Sequence, residues 1–271
     1  VEVTVLEADS HGRIKIESID EAVKENTRAI VITNASNLTG TIISLEKVGK
    51  IAKKHGVLLI VDASQSAGIL EVDVEKMHID ILCFTGHKSL FGPQGTGGIY
   101  LREGVAIKPI MEGGSGAHSK LRRQPGEMPD LLECGTLNAP AIAALGAGVD
   151  FIMRTGIDNI RKHEENITAA FIEGMKGIEG VRIYGPETEE RTPVVAINIG
   201  DLDPSEVSSI LDEEYQISTR PGMHCAPLAH RSIGTYETGA VRFSFGYFNT
   251  MDEINYAIGA VRDISDFCKE K

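Results

Sequence analysis

The sequence predicts an α/β protein: a mainly parallel sheet in a large unit over residues 1–150, then a smaller α+β unit over residues 151–271. Three observations predict it. Short apolar runs alternate with helical periodicities in the first half, the βαβ pattern of a parallel sheet covered on both faces. Polar residues (Asn37, Asp62, Gln65, His87 and Lys88) follow the ends of those runs, where such sheets hold their ligands. Near residues 146–165 the order changes to a long helical connector, followed by strands and helices of a different arrangement.

Taken in order, Val1 to Leu6 reads as a strand by its Val-x-Val-x-Val alternation, and Ser18 as the cap of a short helix through Glu21 to Lys24. Ala29 to Thr33 is a buried-strand run leading into the loop residues Asn34, Asn37 and Gly40. Ser44 offers an N-cap for a helix with Leu45, Val48, Ile51 and Ala52 on one face, and His55-Gly56 ends it. Val57 to Val61 is an apolar strand closed by Asp62, and Ile79 to Phe84 is another, closed by Thr85-Gly86-His87-Lys88. Helices are expected over Pro140 to Arg154 and Ile157 to Met175. Strands at Val181 to Tyr184, Val194 to Ile199 and Val241 to Phe245, with helices at Pro204–Tyr215 and Met251–Phe267, complete the second unit.

Composition bounds the function. Hydrophobic residues at 42% and charged residues at 24% exclude a chain disordered throughout. A net charge of −12 and the lack of any Lys/Arg stripe argue against nucleic acid as the main partner. No stretch approaches the roughly 20 apolar residues of a membrane span, and the opening residues lack the basic region of a signal peptide. Cys83, Cys134, Cys225 and Cys268 lie far apart, with no CxxC pair and no Cys/His cluster, so neither a disulfide framework nor a metal site is expected, and the cytoplasm is.

Chemistry concentrates at few residues. Lys88, in a glycine-rich turn after an apolar strand, is either a desolvated amine able to form a Schiff base or a solvated loop lysine. A Walker A reading fails because His87 precedes the lysine and position 81 is Ile. Asp62 ends a strand of Val and Leu, where a carboxylate is costly unless a cation such as a pyridinium faces it; alternatively it caps a helix. Cys225, in a loop shaped by Pro221, Gly222 and Pro227, is a nucleophile or a small buried apolar residue. Flanking His224 and Arg220 would lower its thiol pKa. Cys83 reads as core, and His230 as a surface residue.

Val61-Asp62-Ala63-Ser64-Gln65, followed by Thr85-Gly86-His87-Lys88, resembles the cofactor-binding core of the class V aminotransferase family, which uses pyridoxal 5′-phosphate (PLP). Asn37, in Ala35-Ser36-Asn37-Leu38-Thr39, fits the same pattern. The run Arg220-Pro221-Gly222-Met223-His224-Cys225-Ala226-Pro227-Leu228 resembles the catalytic loop of the SufS-like cysteine desulfurases. The resemblance implies the type I fold of PLP-dependent transferases. It implies Lys88 as the Schiff-base lysine, Asp62 on the pyridine nitrogen, Gln65 on the ring hydroxyl, and Thr85 and His87 on the phosphate. Thr136 would reach the phosphate bound in a neighbouring subunit, which implies a homodimer. Asn37 and Arg242 would bind the substrate carboxylate, and Arg220, beside Cys225, would also contact the substrate.

The implied reaction takes sulfur from L-cysteine onto Cys225 as a persulfide, releases L-alanine, and serves a sulfur-acceptor protein. Two other readings stand beside it: a class V aminotransferase or selenocysteine lyase, and a non-catalytic remnant kept as a dimerisation or binding module. The family pattern has a substantial segment before residue 1, ordinarily supplying a ring-stacking His and a phosphate loop, so the large unit is expected to be incomplete at its N-terminus.

Overall fold

The computed structural model describes residues 1–114, 116, 118, 120–186 and 191–269. After helix α1 (Ile16–Ala22), strand β1 (Ala29–Thr33), helix α2 (Leu45–His55) and strand β2 (Leu58–Asp62) form a βαβ unit, and β3 (Ile81–Thr85) extends the parallel sheet. Strand β4 (Gly97–Leu101) joins the edge antiparallel to β3, so the sheet is mixed, in the order β1-β2-β3-β4. Two glycines conceal β4 in the sequence, since Gly is depleted in strands. Their reason is packing: Gly98 sits opposite Phe84, and a Cβ there would lie 2.5 Å from its ring.

Helix α2 forms as its periodicity predicts. Leu45, Val48 and Ala52 are buried against Leu59, Val61 and Ile32, and Gly56 closes the helix at φ 64° with its N–H on the Ala52 carbonyl. Helix α1 begins at Ile16 rather than at a Ser18 cap, because Ile16 and Ile19 reach this same core; Ser18 lies inside it and donates its hydroxyl to the Lys15 carbonyl at 2.7 Å.

Two expectations are corrected. The first sheet is covered on one face only among the described residues: on the other, Val31 and Ile99 remain 73% and 42% exposed. Val1 to Leu6 form no strand. Alternation yields a strand only where an edge accepts its hydrogen bonds, and these residues have no ladder partner among the described ones, with Val1, Val3 and Val5 exposed.

Helices α3 (Ala139–Thr155) and α4 (Ile157–Lys176) meet at Gly156 (φ 86°) with a bend of 84°. No single described helix is long and apolar enough to cross a membrane. Strands β5 (Val181–Tyr184) and β6 (Val194–Ile199), helix α5 (Pro204–Tyr215), strand β7 (Arg220–Gly222), helix α6 (Pro227–Ile233), strand β8 (Ala240–Ser244) and helix α7 (Met251–Lys269) follow. The second sheet is antiparallel, ordered β5-β6-β8-β7, and its core joins Val195, Ile197 and Val241 to Phe171, Leu211 and Val261 of the helices.

The loop after β1 is held against this second sheet. Thr192 donates its N–H to the Gly40 carbonyl at 2.8 Å, and Arg191 Nη2 donates to the Thr39 carbonyl at 2.7 Å. That contact brings Asn37 and the β3 end to the strands that carry Arg220 and Arg242.

Candidate functional site

A cavity of about 280 Å³ opens where the two sheets meet, lined among others by Gln65, Lys88, Glu164, Arg242 and Ser244. Strand β3 delivers one wall. Its register places Cys83 beside Asp62 and Asp62 beside Thr33 at the carboxyl end of the sheet, and the chain then turns through Thr85 to Lys88. Asp62 is exposed there, and its Oδ1 accepts the Ser64 N–H at 2.8 Å. The cap-like role foreseen for it is therefore real but belongs to a turn, not to a helix, and the carboxylate stays open to solvent on the sheet's uncovered side. Cys83 is not core. It is half-buried, and burial and then the Asp62 charge push its thiol pKa up.

Lys88 stands at the cavity mouth. Partial burial lowers its ammonium pKa; Asp62 opposes that shift and Arg242 reinforces it, which puts the three groups within one another's field. The turn carrying Lys88 is packed without slack: Gly68 (φ 98°) passes so close to Ser89 that a Cβ would meet the Ser89 carbonyl at 2.2 Å. Gly68→Ala is expected to destabilise the fold by about 3 kcal/mol, from a left-handed backbone with a side chain and from overpacking, as read by urea unfolding. Next to Lys88, Thr85 Oγ1 and His87 Nδ1 lie 2.8 Å apart at the strand end, a paired hydroxyl and imidazole.

The second sheet supplies the opposite wall. Arg242 on β8 is paired in register with Arg220 on β7. Arg242 Nη1 donates to the Asn37 carbonyl at 2.9 Å, while its Nε is buried with no acceptor among the described residues. Asn37 does not line the cavity; its side-chain amide donates to the His224 carbonyl at 2.6 Å, so it braces the cysteine loop. Cys225 is exposed at φ 56°, and Arg220 Nη2 lies 3.6 Å from its Sγ.

Two sequence expectations at this loop are overturned. His224 offers no cation to the thiol: it is buried, and that burial depresses its imidazole pKa to about 4, against the pull of the Arg220 carbonyl. His230 is no surface residue but completely buried against His224. Thr136 stands exposed ahead of α3, outside the cavity of its own chain.

Glu164 escaped the sequence reading. It is 2% exposed, lines the cavity from α4, and keeps Oε2 without a partner among the described residues. Burial pushes its pKa up to about 7, against the Arg161 guanidinium and the Tyr247 N–H. The available signal was its helical spacing, since positions 160, 164, 167, 168 and 171 all fall on the buried face of α4.

These groups fit PLP. A carboxylate at the strand end suits a pyridine N–H, a desolvated amine suits an aldehyde, and the Thr85–His87 pair offers donors to a phosphate. The orphaned Nε of Arg242 is a donor awaiting an anion, as an amino-acid carboxylate would be. The sequence profile of class V aminotransferases matches residues 1–256.

The chain belongs to the class V aminotransferase family.

Members of this family use PLP. Among curated relatives, a probable cysteine desulfurase of Methanothermobacter thermautotrophicus is 38% identical over 259 residues, covering 94% of this chain and 64% of the relative. One of Pyrococcus abyssi is 33% identical over 264 residues, covering 96% and 65%. The apo cysteine desulfurase of Thermococcus onnurineus NA1 superposes with a TM-score of 0.86 at 31% identity, over 98% of this chain and 66% of that one. The fold is thus that of type I PLP-dependent enzymes, and the chain spans just under two thirds of the length of these relatives.

Proposed function

We propose that this class V aminotransferase-family chain is a cysteine desulfurase in which Cys225 takes sulfur from L-cysteine. The observation that carries the reading is Cys225 itself: an exposed thiol held beside a guanidinium, on a loop braced through Asn37 to the same Arg242 that lines the Lys88 cavity. The relatives named probable cysteine desulfurases support it. In this reading residues 1–150 and 151–271 are the two functional halves, and the cavity is their junction.

Lys88, Asp62, Gln65, Thr85 and His87 would hold PLP, which when bound supplies an electron sink for the substrate amino acid. Lys88 would provide the amine for the cofactor aldehyde and act as base and acid at the substrate carbon. Arg242 binds the substrate carboxylate and orients the side-chain sulfur toward Cys225. The Cys225 thiolate, with the Arg220 guanidinium beside it, attacks that sulfur. The carbon–sulfur bond breaks, a sulfur–sulfur bond forms, and the β-carbon gains a proton to leave as alanine, so the persulfide sulfur and the reduced methyl balance. The same reading places Thr136 at the phosphate of a second subunit in a homodimer, hands the persulfide to an acceptor protein, and locates the protein in the cytoplasm.

Cys225→Ser in the PLP-treated protein tests this. Persulfide formation from L-cysteine and alanine release are expected to fall by roughly 10³-fold or more, with the cofactor absorbance retained. Turnover that survives the substitution makes the protein a transaminase or lyase independent of Cys225. A wild-type chain that acquires no PLP would leave the binding-module reading standing.

A further inference from the structure

His224 and Cys225 both adopt left-handed backbone angles, φ 52° and 56°. Each costs an L-residue roughly 1–2 kcal/mol, so this loop is held in place by its surroundings. His224 is where it is held. Its Nε2 lies 2.7 Å from the Arg220 carbonyl, its Nδ1 lies 3.2 Å from His230 Nε2, and its own carbonyl accepts the Asn37 amide. Beyond it, His230 Nδ1 lies 2.7 Å from Thr235 Oγ1. The two rings stack at 5.4 Å and 13°, and His224, His230 and Thr235 are all at most 2% exposed.

The partners dictate where each proton sits. A ring nitrogen facing a carbonyl must carry hydrogen, so His224 Nε2 donates to Arg220 and, in a neutral ring, Nδ1 is an acceptor. An accepting His224 Nδ1 calls for a donor, so a neutral His230 carries its proton on Nε2 and its Nδ1 accepts the Thr235 hydroxyl, although the Thr235 and Met223 carbonyls also draw a proton to this ring. Burial lowers the pKa of both imidazoles, against the Arg220 carbonyl at His224 and the Thr235 and Met223 carbonyls at His230, so both rings are neutral in this arrangement. Protons therefore point one way along the chain, from Thr235 through His230 and His224 to the Arg220 carbonyl. The same Arg220 places its guanidinium on Cys225 Sγ.

We propose that Thr235 and His230 are positioning residues for Cys225: through the directed hydrogen-bond chain to His224 they fix the left-handed loop and seat the Arg220 guanidinium on the thiol. The inference rests on Cys225 being the reactive thiol but not on the sulfur donor. Without the Thr235 hydroxyl, His230 is free to move its proton to Nδ1, and two lone pairs would then confront each other across the 3.2 Å gap.

The test uses the whole protein with ring-nitrogen-labelled histidine. Nitrogen NMR at neutral pH is expected to show His224 and His230 as neutral Nε2–H tautomers in the wild type. Thr235→Val is expected to lose the His230 tautomer and to slow iodoacetamide labelling of Cys225 by roughly tenfold, the weight of one buried hydrogen bond. Thr235→Ser, which keeps the hydroxyl, is expected to restore both. A wild type with either ring charged or in the Nδ1–H form overturns the proposal, even if Thr235→Val fails to fold. An unchanged or faster labelling rate in Thr235→Val overturns it too. Tautomers as expected in a protein that forms no persulfide would instead defeat the desulfurase reading and leave the ladder intact.

Discussion

Lys88→Ala is expected to abolish covalent attachment of PLP. In the wild type, borohydride reduction after PLP treatment should leave a stable cofactor adduct on the peptide containing Lys88, and the visible absorption band should depend on that residue. Two properties of the site argue for this lysine over the others. Burial lowers its pKa, so more of it is the unprotonated amine that an aldehyde needs, and Arg242 adds to that shift. Asp62 works against the shift, but in the proposed function its carboxylate at the end of β2 would favour a protonated pyridine nitrogen. Activity should fall by roughly 10³-fold or more in Lys88→Ala. Asp62→Asn should keep the adduct and lose turnover, because an amide cannot stabilise the same charge. An adduct of wild-type yield in Lys88→Ala, on some other lysine, would remove Lys88 from its role.

The separation of these roles reflects what a sequence can carry. The βαβ order, the end of α2 at Gly56 and the clustering of Asp62, His87 and Lys88 at strand ends are local or periodic signals, and they survive folding nearly unchanged. Strand β4 is different, because its glycines answer to Phe84 on the neighbouring strand, a fact of pairing rather than of propensity. Val1 to Leu6 fail for the converse reason: their alternation is correct for a strand, but a strand exists only with a partner. At the site, Arg242 and Cys225 were legible as residue types within motifs. That His224 is neutral was not legible, since its charge depends on burial by residues distant in sequence such as Asn37. Motif reading supplies who is present; the dielectric around each group decides what it can do.

The same dependence on burial makes the stability of the fold sensitive to pH at Glu164. Its folded pKa of about 7 stands above the ordinary 4.5 because burial opposes the charged form. Arg161 on its own helix, which also holds Glu165 at 2.6 Å, and the Tyr247 N–H pull the other way; Lys88 and Arg242 line the same cavity. For a carboxyl whose folded pKa is raised, the stabilising protonated state is fully present below 4.5 and lost as pH rises toward 7. At 1.36 kcal/mol per unit, the loss amounts to about 3 kcal/mol. Glu164→Gln keeps an acceptor for the Tyr247 N–H and cannot ionise. Its stability relative to wild type should therefore climb by about 3 kcal/mol between pH 4.5 and pH 8, whatever the offset at the acid end. His224 runs the opposite way, costing stability as pH falls from 6.5 toward about 4, and it does so equally in both proteins. Urea unfolding of the pair across that range isolates Glu164 as the difference between two curves. A difference that stays flat with pH would mean that the carboxyl is ionised throughout, with a cation or water meeting Oε2 in the cavity.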